Sequence, residues 1–187
     1  TVNSSVTKAK AEELSPQTVN NLVLMPTGIL AIPELKRVEV SALRAQLLPK
    51  QTEYLLLFVG RVNEEKGVKE LIEATKMLLD NGYSVHLAIV GRGHQEQQYK
   101  DLTAELNIEN SVTFVGWVNS SEIYHYYAAA DIFVGPSKRA DDGWVEAQGL
   151  TFVEAMLAGC KVVGTNSGGI PDAVIDGKTG WLAEPGN

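Results

Sequence analysis

From residue 54 onward the chain repeats one pattern: a short unbroken apolar run, a glycine, then a helical stretch. Residues 55–59 close on Gly60, 85–90 on Gly91 and 112–115 on Gly116. Apolar runs of this length without polar alternation suit parallel strands covered on both faces. Between the first two, residues 68–79 put Val68, Leu71, Ile72, Thr75, Leu78 and Leu79 on one helical face and stop at Asn81-Gly82. A second, more polar helix is expected at 96–106, and a third at 121–129 opened by Asn119 or Ser120. Strands at 132–134 and 161–163 flank a helix at 149–157, and Trp181-Leu182 supplies a sixth strand. Strands alternating with helices through short loops make right-handed βαβ units, so the expected fold is α/β, a Rossmann-like doubly wound parallel sheet.

The first fifty residues are less regular. Residues 1–20 are polar and small, with a weak helical look over 6–14 broken by Ser15-Pro16, and read as a linker or the end of a preceding domain. A short strand is expected at 21–25, stopped by Pro26-Thr27-Gly28, and a surface helix at 33–47 with Pro33 near its start. With 187 residues in all, 21–187 forms one well-cored domain and a second full domain would not fit. The chain opens on Thr1 without a signal-peptide pattern, and is expected to be a piece of a longer protein.

Charge and composition narrow the function. A net charge of −7 argues against non-specific nucleic-acid binding, so any phosphate site must be local. No apolar run approaches the ~18–20 residues of a membrane helix. The single cysteine, Cys160, excludes an internal disulfide framework and suits a reducing compartment, so a cytoplasmic protein is expected. No His/Cys cluster points to zinc, and neither a Gly-x-Ser-x-Gly elbow nor the full phosphate-loop motif Gly-x-x-x-x-Gly-Lys-Ser/Thr is present. His86, alternating with apolar residues, reads as structural, and Cys160 as core.

Ligands of such a sheet bind outside the carboxyl ends of its strands. The loop from Gly60 to Gly67 carries Arg61 and Lys66, suited to a diphosphate, though taken alone it reads first as solvated charge balanced by Glu64 and Glu65. Gly91-Arg92-Gly93 starts like a dinucleotide fingerprint but has Glu96 in place of the third glycine, which gives NAD little support. Gly116-Trp117-Val118 could lay its backbone along a base or be a plain turn with a packing Trp117. Residues 136–148 form a loop longer than the sheet needs. Beyond it, Gly149 stands at a helix mouth whose free amides favour an anion. Glu154 lies in that otherwise apolar helix, where a carboxylate is costly unless partnered.

Taken together, Gly60-Arg61 with Lys66-Gly67, Val90 to Gly93, Val115 to Val118, Ala129 to Ser137, Glu146 and Glu154 separated by seven residues, and Gly168 to Pro171 resemble the C-terminal half of the GT-B fold in retaining glycosyltransferases of family 4. The resemblance covers residues 54–187, with Met25 to Ile29 similar to the strand that enters that domain. Single pieces are common; six in this order are specific. Gln148 departs from it, standing where the family often has an aromatic residue, and leaves the sugar unassigned.

The resemblance implies a donor site for a nucleoside-diphosphate sugar. Gly60, Arg61 and Lys66 would serve the diphosphate, with the cations doing what a metal does elsewhere, so no metal and no cofactor are expected. Glu146 would hold donor-sugar hydroxyls, Glu154 the ribose hydroxyls, the amides of Gly149, Leu150 and Thr151 the phosphates, and the Trp117-Val118 backbone the base. Arg61, Lys66 and Glu146 would be the catalytic set. The acceptor, a glycan, lipid or small molecule, would bind an N-terminal domain absent from this chain, which would also carry any peripheral attachment to a membrane. The final C-terminal helices are expected to be missing too, and the isolated chain to be inactive. A non-catalytic nucleotide-binding module, a nucleotide-sugar epimerase and a glycogen-phosphorylase-like protein remain as alternatives.

Overall fold

A computed structural model describes residues 1–29 and 31–186. In chain order the elements are α1 (Ser5–Leu14), α2 (Arg37–Leu47), β1 (Tyr54–Val59), α3 (Val68–Asp80), β2 (Val85–Val90), α4 (Glu96–Glu105), β3 (Val112–Gly116), α5 (Ile123–Ala129), β4 (Ile132–Gly135), α6 (Leu150–Leu157), β5 (Lys161–Thr165), α7 (Ile170–Ala173) and β6 (Trp181–Ala183). The strands form one sheet in the order β3-β2-β1-β4-β5-β6, with every neighbouring pair parallel. This is the doubly wound order, and its direction reverses between β1 and β4, so a crevice opens at their carboxyl ends.

Strand β1 shows why the apolar runs are unbroken. Its side chains alternate between two cores: Leu55 and Leu57 join Tyr127, Phe133 and Phe152, whereas Leu56 and Phe58 join Val68, Leu71, Ile72 and Tyr99. Both faces are covered by helices, so neither parity of the strand tolerates a polar residue. On the first face Phe133 stands edge-on between Tyr127, 5.6 Å away, and Phe152, 5.1 Å away. Full burial of each large side chain stabilises by about 1.5–3 kcal/mol.

At the amino ends of the strands Asp131 joins the sheet to α2. Its Oδ2 accepts from the Leu55 amide at 2.7 Å and from Arg44 at 2.8 Å, while the same guanidinium donates to the Ala129 carbonyl at 2.7 Å. His86 and Cys160 are structural, as expected. The His86 ring is buried with Nε2 2.8 Å from the Thr113 hydroxyl, and burial lowers its pKa. Burial pushes the Cys160 thiol up to about 11.

Three local expectations fail. Residues 21–25 are not a strand: a 3-10 turn at Pro16–Asn21 is followed by one bridge, Leu24 to Val2, and Val23, Leu24 and Met25 stay exposed because no longer neighbour pairs with them. The helix expected from Pro33 starts only at Arg37, because Lys36 is still extended and its carbonyl takes the first helical amides, those of Glu39 at 2.9 Å and Val40 at 3.1 Å. Helix α5 begins at Ile123 and not at 121, because the Asn119 carbonyl takes the Glu122 and Ile123 amides in a turn and no side chain caps the helix.

Candidate functional site

The loops leaving β1, β2, β4 and β5 lock together through glycines. A Cβ on Gly91 would lie 1.8 Å from the Gly60 carbonyl oxygen, one on Gly93 2.1 Å from that of Val62, and one on Gly67 2.0 Å from that of Pro136. Main chain packs on main chain here, so Gly67, Gly91 and Gly93 are required by space. Gly168 and Gly169 do the same for the loop before α6, where a Cβ would meet the carbonyl oxygens of Glu146 at 2.2 Å and Ala147 at 2.0 Å. The Gly169 amide also donates to the Glu146 carbonyl at 2.7 Å.

These loops enclose a cavity of about 290 Å³ at the carboxyl ends of β1 and β4, on a floor of Phe58, Phe133 and Phe152. Of the residues singled out from sequence, Gly60, Arg61, Lys66, Glu146, Gly149, Leu150 and Thr151 all line it. Gly149 has φ 69° and is the residue before α6, so the helix starts one position later than the glycine, with Leu150 and Thr151 of its first turn on the cavity wall. Only a residue tolerant of positive φ fits there.

Lys66 and Glu146 meet inside. Nζ lies 2.6 Å from Glu146 Oε2, with 15% and 22% of the two side chains exposed, so the pair is largely shielded from water. The Trp144 ring covers the ammonium at 4.6 Å from its centroid. Arg61 stands at the rim, 63% exposed, with Glu65 at 3.6 Å. Without ligand the deeper cation is therefore satisfied by a carboxylate. An incoming anion would compete for Lys66 and release Glu146 to accept hydrogen bonds from hydroxyl groups.

The other three residues lie outside this cavity. Glu154, half-buried on α6, faces α5 and accepts from the Tyr127 hydroxyl at 3.0 Å. Burial raises its pKa, and the Tyr127 hydrogen bond works the other way. Its partner is thus a neutral phenol, which satisfies one oxygen and leaves the charge uncompensated. Trp117 is exposed and Val118 half-buried, at the end of β3, two strands from β1. Sequence reasoning missed Trp144, whose only signal was its place in the long loop two residues before Glu146. It also passed over the contact made by Gln148, which sits 8% exposed in the cavity wall.

Among the described residues no group of three or more His, Cys, Asp or Glu side chains is arranged to hold a metal ion. Among them, too, no helix is long and apolar enough to cross a membrane.

Comparison with known proteins identifies the family. Residues 39–187 match the family model described as "Glycosyl transferases group 1". The chain is 37% identical over 132 residues to the amylovoran biosynthesis glycosyltransferase AmsK of Erwinia amylovora, covering 71% of this chain and 32% of that protein. It is 33% identical to the lipopolysaccharide 1,2-N-acetylglucosaminetransferase of Salmonella typhimurium, over 98% of this chain and 48% of the relative. The chain thus spans between about a third and a half of the curated relatives it matches. The crystal structure of Anabaena Alr3699/HepE in complex with UDP-glucose superposes with a TM-score of 0.83 at 27% identity, over 100% of this chain and 50% of that one.

Proposed function

The chain belongs to the glycosyl transferases group 1 family, and from that premise we propose that it is the donor-binding domain of a retaining glycosyltransferase. The whole protein would move a sugar from a nucleoside-diphosphate sugar to a glycan, lipid or small molecule. The observation that carries this reading is the Lys66–Glu146 pair in one cavity with Arg61 and the amides that open α6. A donor diphosphate replaces Glu146 as the partner of Lys66, and the N-terminal amides of α6 add to its binding. As the glycosidic bond breaks, negative charge grows on the leaving diphosphate. Lys66, already desolvated under Trp144, is preorganised to stabilise it, with Arg61 at the outer phosphate. Glu146, once released, takes donor-sugar hydroxyls.

Glu154 serves the ribose, with Tyr127 fixing its carboxylate, and the Trp117-Val118 backbone meets the base. Two side-chain cations take the part a metal plays elsewhere, so no metal is required. Retention at the anomeric carbon rests on the likeness of the Glu146–Glu154 spacing to family 4.

Calorimetry of this chain against UDP, GDP and ADP tests the reading. One nucleotide should bind, and Lys66→Ala should weaken it by about 10–100-fold, the worth of a hydrogen bond to a charged group. Binding of none of the three, or equal affinity in the variant, refutes the site. The chain alone is expected to transfer no sugar, and turnover without a further domain would contradict that division of labour.

A further inference from the structure

Gln148 is a buried polar side chain on the wall of the cavity, and both ends of its carboxamide bond to one distant residue. Nε2 donates to the Thr27 carbonyl at 3.0 Å and Oε1 accepts from the Thr27 amide at 3.1 Å, across 121 positions of sequence. The side chain thus pairs with both peptide groups of a single residue, as a neighbouring strand would. On its other side the same loop is pressed against Gly168 and Gly169 with no room for a Cβ. Residues 146–149, which carry Glu146 and lead into the amides of α6, are therefore gripped from two directions.

The segment on the far end of the clasp has little else to hold it. Val23, Leu24 and Met25 are exposed, and the segment is tied back by the Met25 amide to the Val2 carbonyl at 2.8 Å and the Val2 amide to the Val23 carbonyl at 3.0 Å. Val2 leads through Ser4 into α1, whose first residue, Ser5, donates from its amide and its hydroxyl to the Asp172 carboxylate on α7 at 2.7 and 2.8 Å. Helix α7 follows directly on Gly169. A closed ring of contacts therefore runs from Gln148 through Thr27, Val2, Ser5 and Asp172 back to the loop that Gln148 stands on.

We propose that Gln148 is a positioning residue for the donor site: its carboxamide couples the segment bearing Thr27 to the loop that presents Glu146 and the amides of Gly149–Thr151, so that donor binding and docking of that segment strengthen each other. This rests on the donor-site reading above. Coupling of this kind is reciprocal, so a ligand that gains from the clasp must tighten it by the same factor.

The test uses this chain with UDP as probe, read by calorimetry and by hydrogen exchange at the Thr27 amide. In the wild type UDP should slow Thr27 exchange several-fold. Gln148→Leu keeps the volume and loses both hydrogen bonds; UDP affinity should fall by about tenfold, in line with two ordinary hydrogen bonds, and the UDP-dependent protection of Thr27 should vanish. Gln148→Glu presents two acceptors to Thr27 when ionised and should behave like the leucine variant at about pH 8. Burial at this position raises the pKa of a carboxyl, so at about pH 4 the introduced glutamate is largely protonated; its O–H can then donate to the Thr27 carbonyl and its C=O accept from the amide, and affinity relative to wild type at the same pH should recover. That recovery also decides the matter if the leucine variant does not fold.

A purely structural role would lower the unfolding midpoint of the leucine variant and leave UDP affinity and Thr27 protection as in the wild type. Either unchanged quantity overturns the proposal. Failure of the wild type to bind UDP, GDP or ADP would instead sink the donor-site reading, and the proposal with it.

Discussion

Gly169→Ala is a direct perturbation of the site because it adds one methyl group against the site loop and asks for no strained torsion. Gly169 has φ −91° and ψ 9°, which alanine adopts without strain, yet its Cβ would sit 2.0 Å from the Ala147 carbonyl oxygen and 3.1 Å from the Gln148 nitrogen. Ordinary contact between such atoms is about 3.5 Å, so the loop or the glycine turn must move by roughly an ångström or more, and the obstacle is main chain that cannot rotate away. Overpacking of this kind costs about 1–3 kcal/mol. The matched control is Gly159→Ala, where φ is +83° and nothing lies within 4 Å of the new Cβ, so only a left-handed backbone is penalised, by about 1–2 kcal/mol. Urea unfolding should therefore show similar losses for both. UDP calorimetry should separate them: the Gly169 variant shifts Glu146 and the entry to α6 and should lose about tenfold or more in affinity, because displacements near 1 Å at a site are costly. The Gly159 variant should bind as the wild type does. Equal affinity in the two variants would refute the claim that the 168–169 turn sets the position of the site loop.

Two further substitutions separate stability from binding. Burial raises the Glu154 pKa above its value in the unfolded chain, so the associated stability is full below the unfolded pKa and is lost as pH rises through the folded one. Glu154→Gln escapes that loss, so its unfolding midpoint should gain on wild type between about pH 4 and pH 7 while its UDP affinity drops; a variant that loses ground toward pH 7 would contradict the assignment. Asp131→Ala strips a partner from the Leu55 amide and from Arg44 at the end of the sheet remote from the cavity. It should lower stability by about 2–4 kcal/mol with UDP affinity unchanged, and weakened UDP binding would show that the two ends of the sheet are not independent.

The sheet was legible because β1 to β4 announce themselves twice, by an apolar run and by a glycine at its end, while β5 and β6 carry only the run. The run reflects two-sided burial along the strand, and the glycine after β2 reflects backbone crowding, where Gly91 lies against the Gly60 carbonyl. The doubly wound sheet dictates where its loops converge, which pointed to the strand ends and the α6 entry, but Arg61 and Lys66 read first as solvated charge and, like Glu146, took a site role only from the resemblance to family 4. What escaped was contact between loops or helices remote in sequence. Nothing near Glu154 points to Tyr127, which reaches it from α5, and nothing near Gln148 points to Thr27. The segment at 21–25 misled because exposed Val23, Leu24 and Met25 carry the residue preference of a strand without a sheet edge to join.

The interlocked glycines also bear on how such a domain can change over evolutionary time. A pocket rim assembled from peptide groups presents the same donors whatever side chains surround it, while any residue bulkier than glycine at positions 67, 91, 93, 168 or 169 meets main chain and has to displace it. Selectivity then falls to the few side chains that project past the rim into the cavity, Arg61, Lys66, Glu146 and Gln148 among them, and new preferences have to be written there.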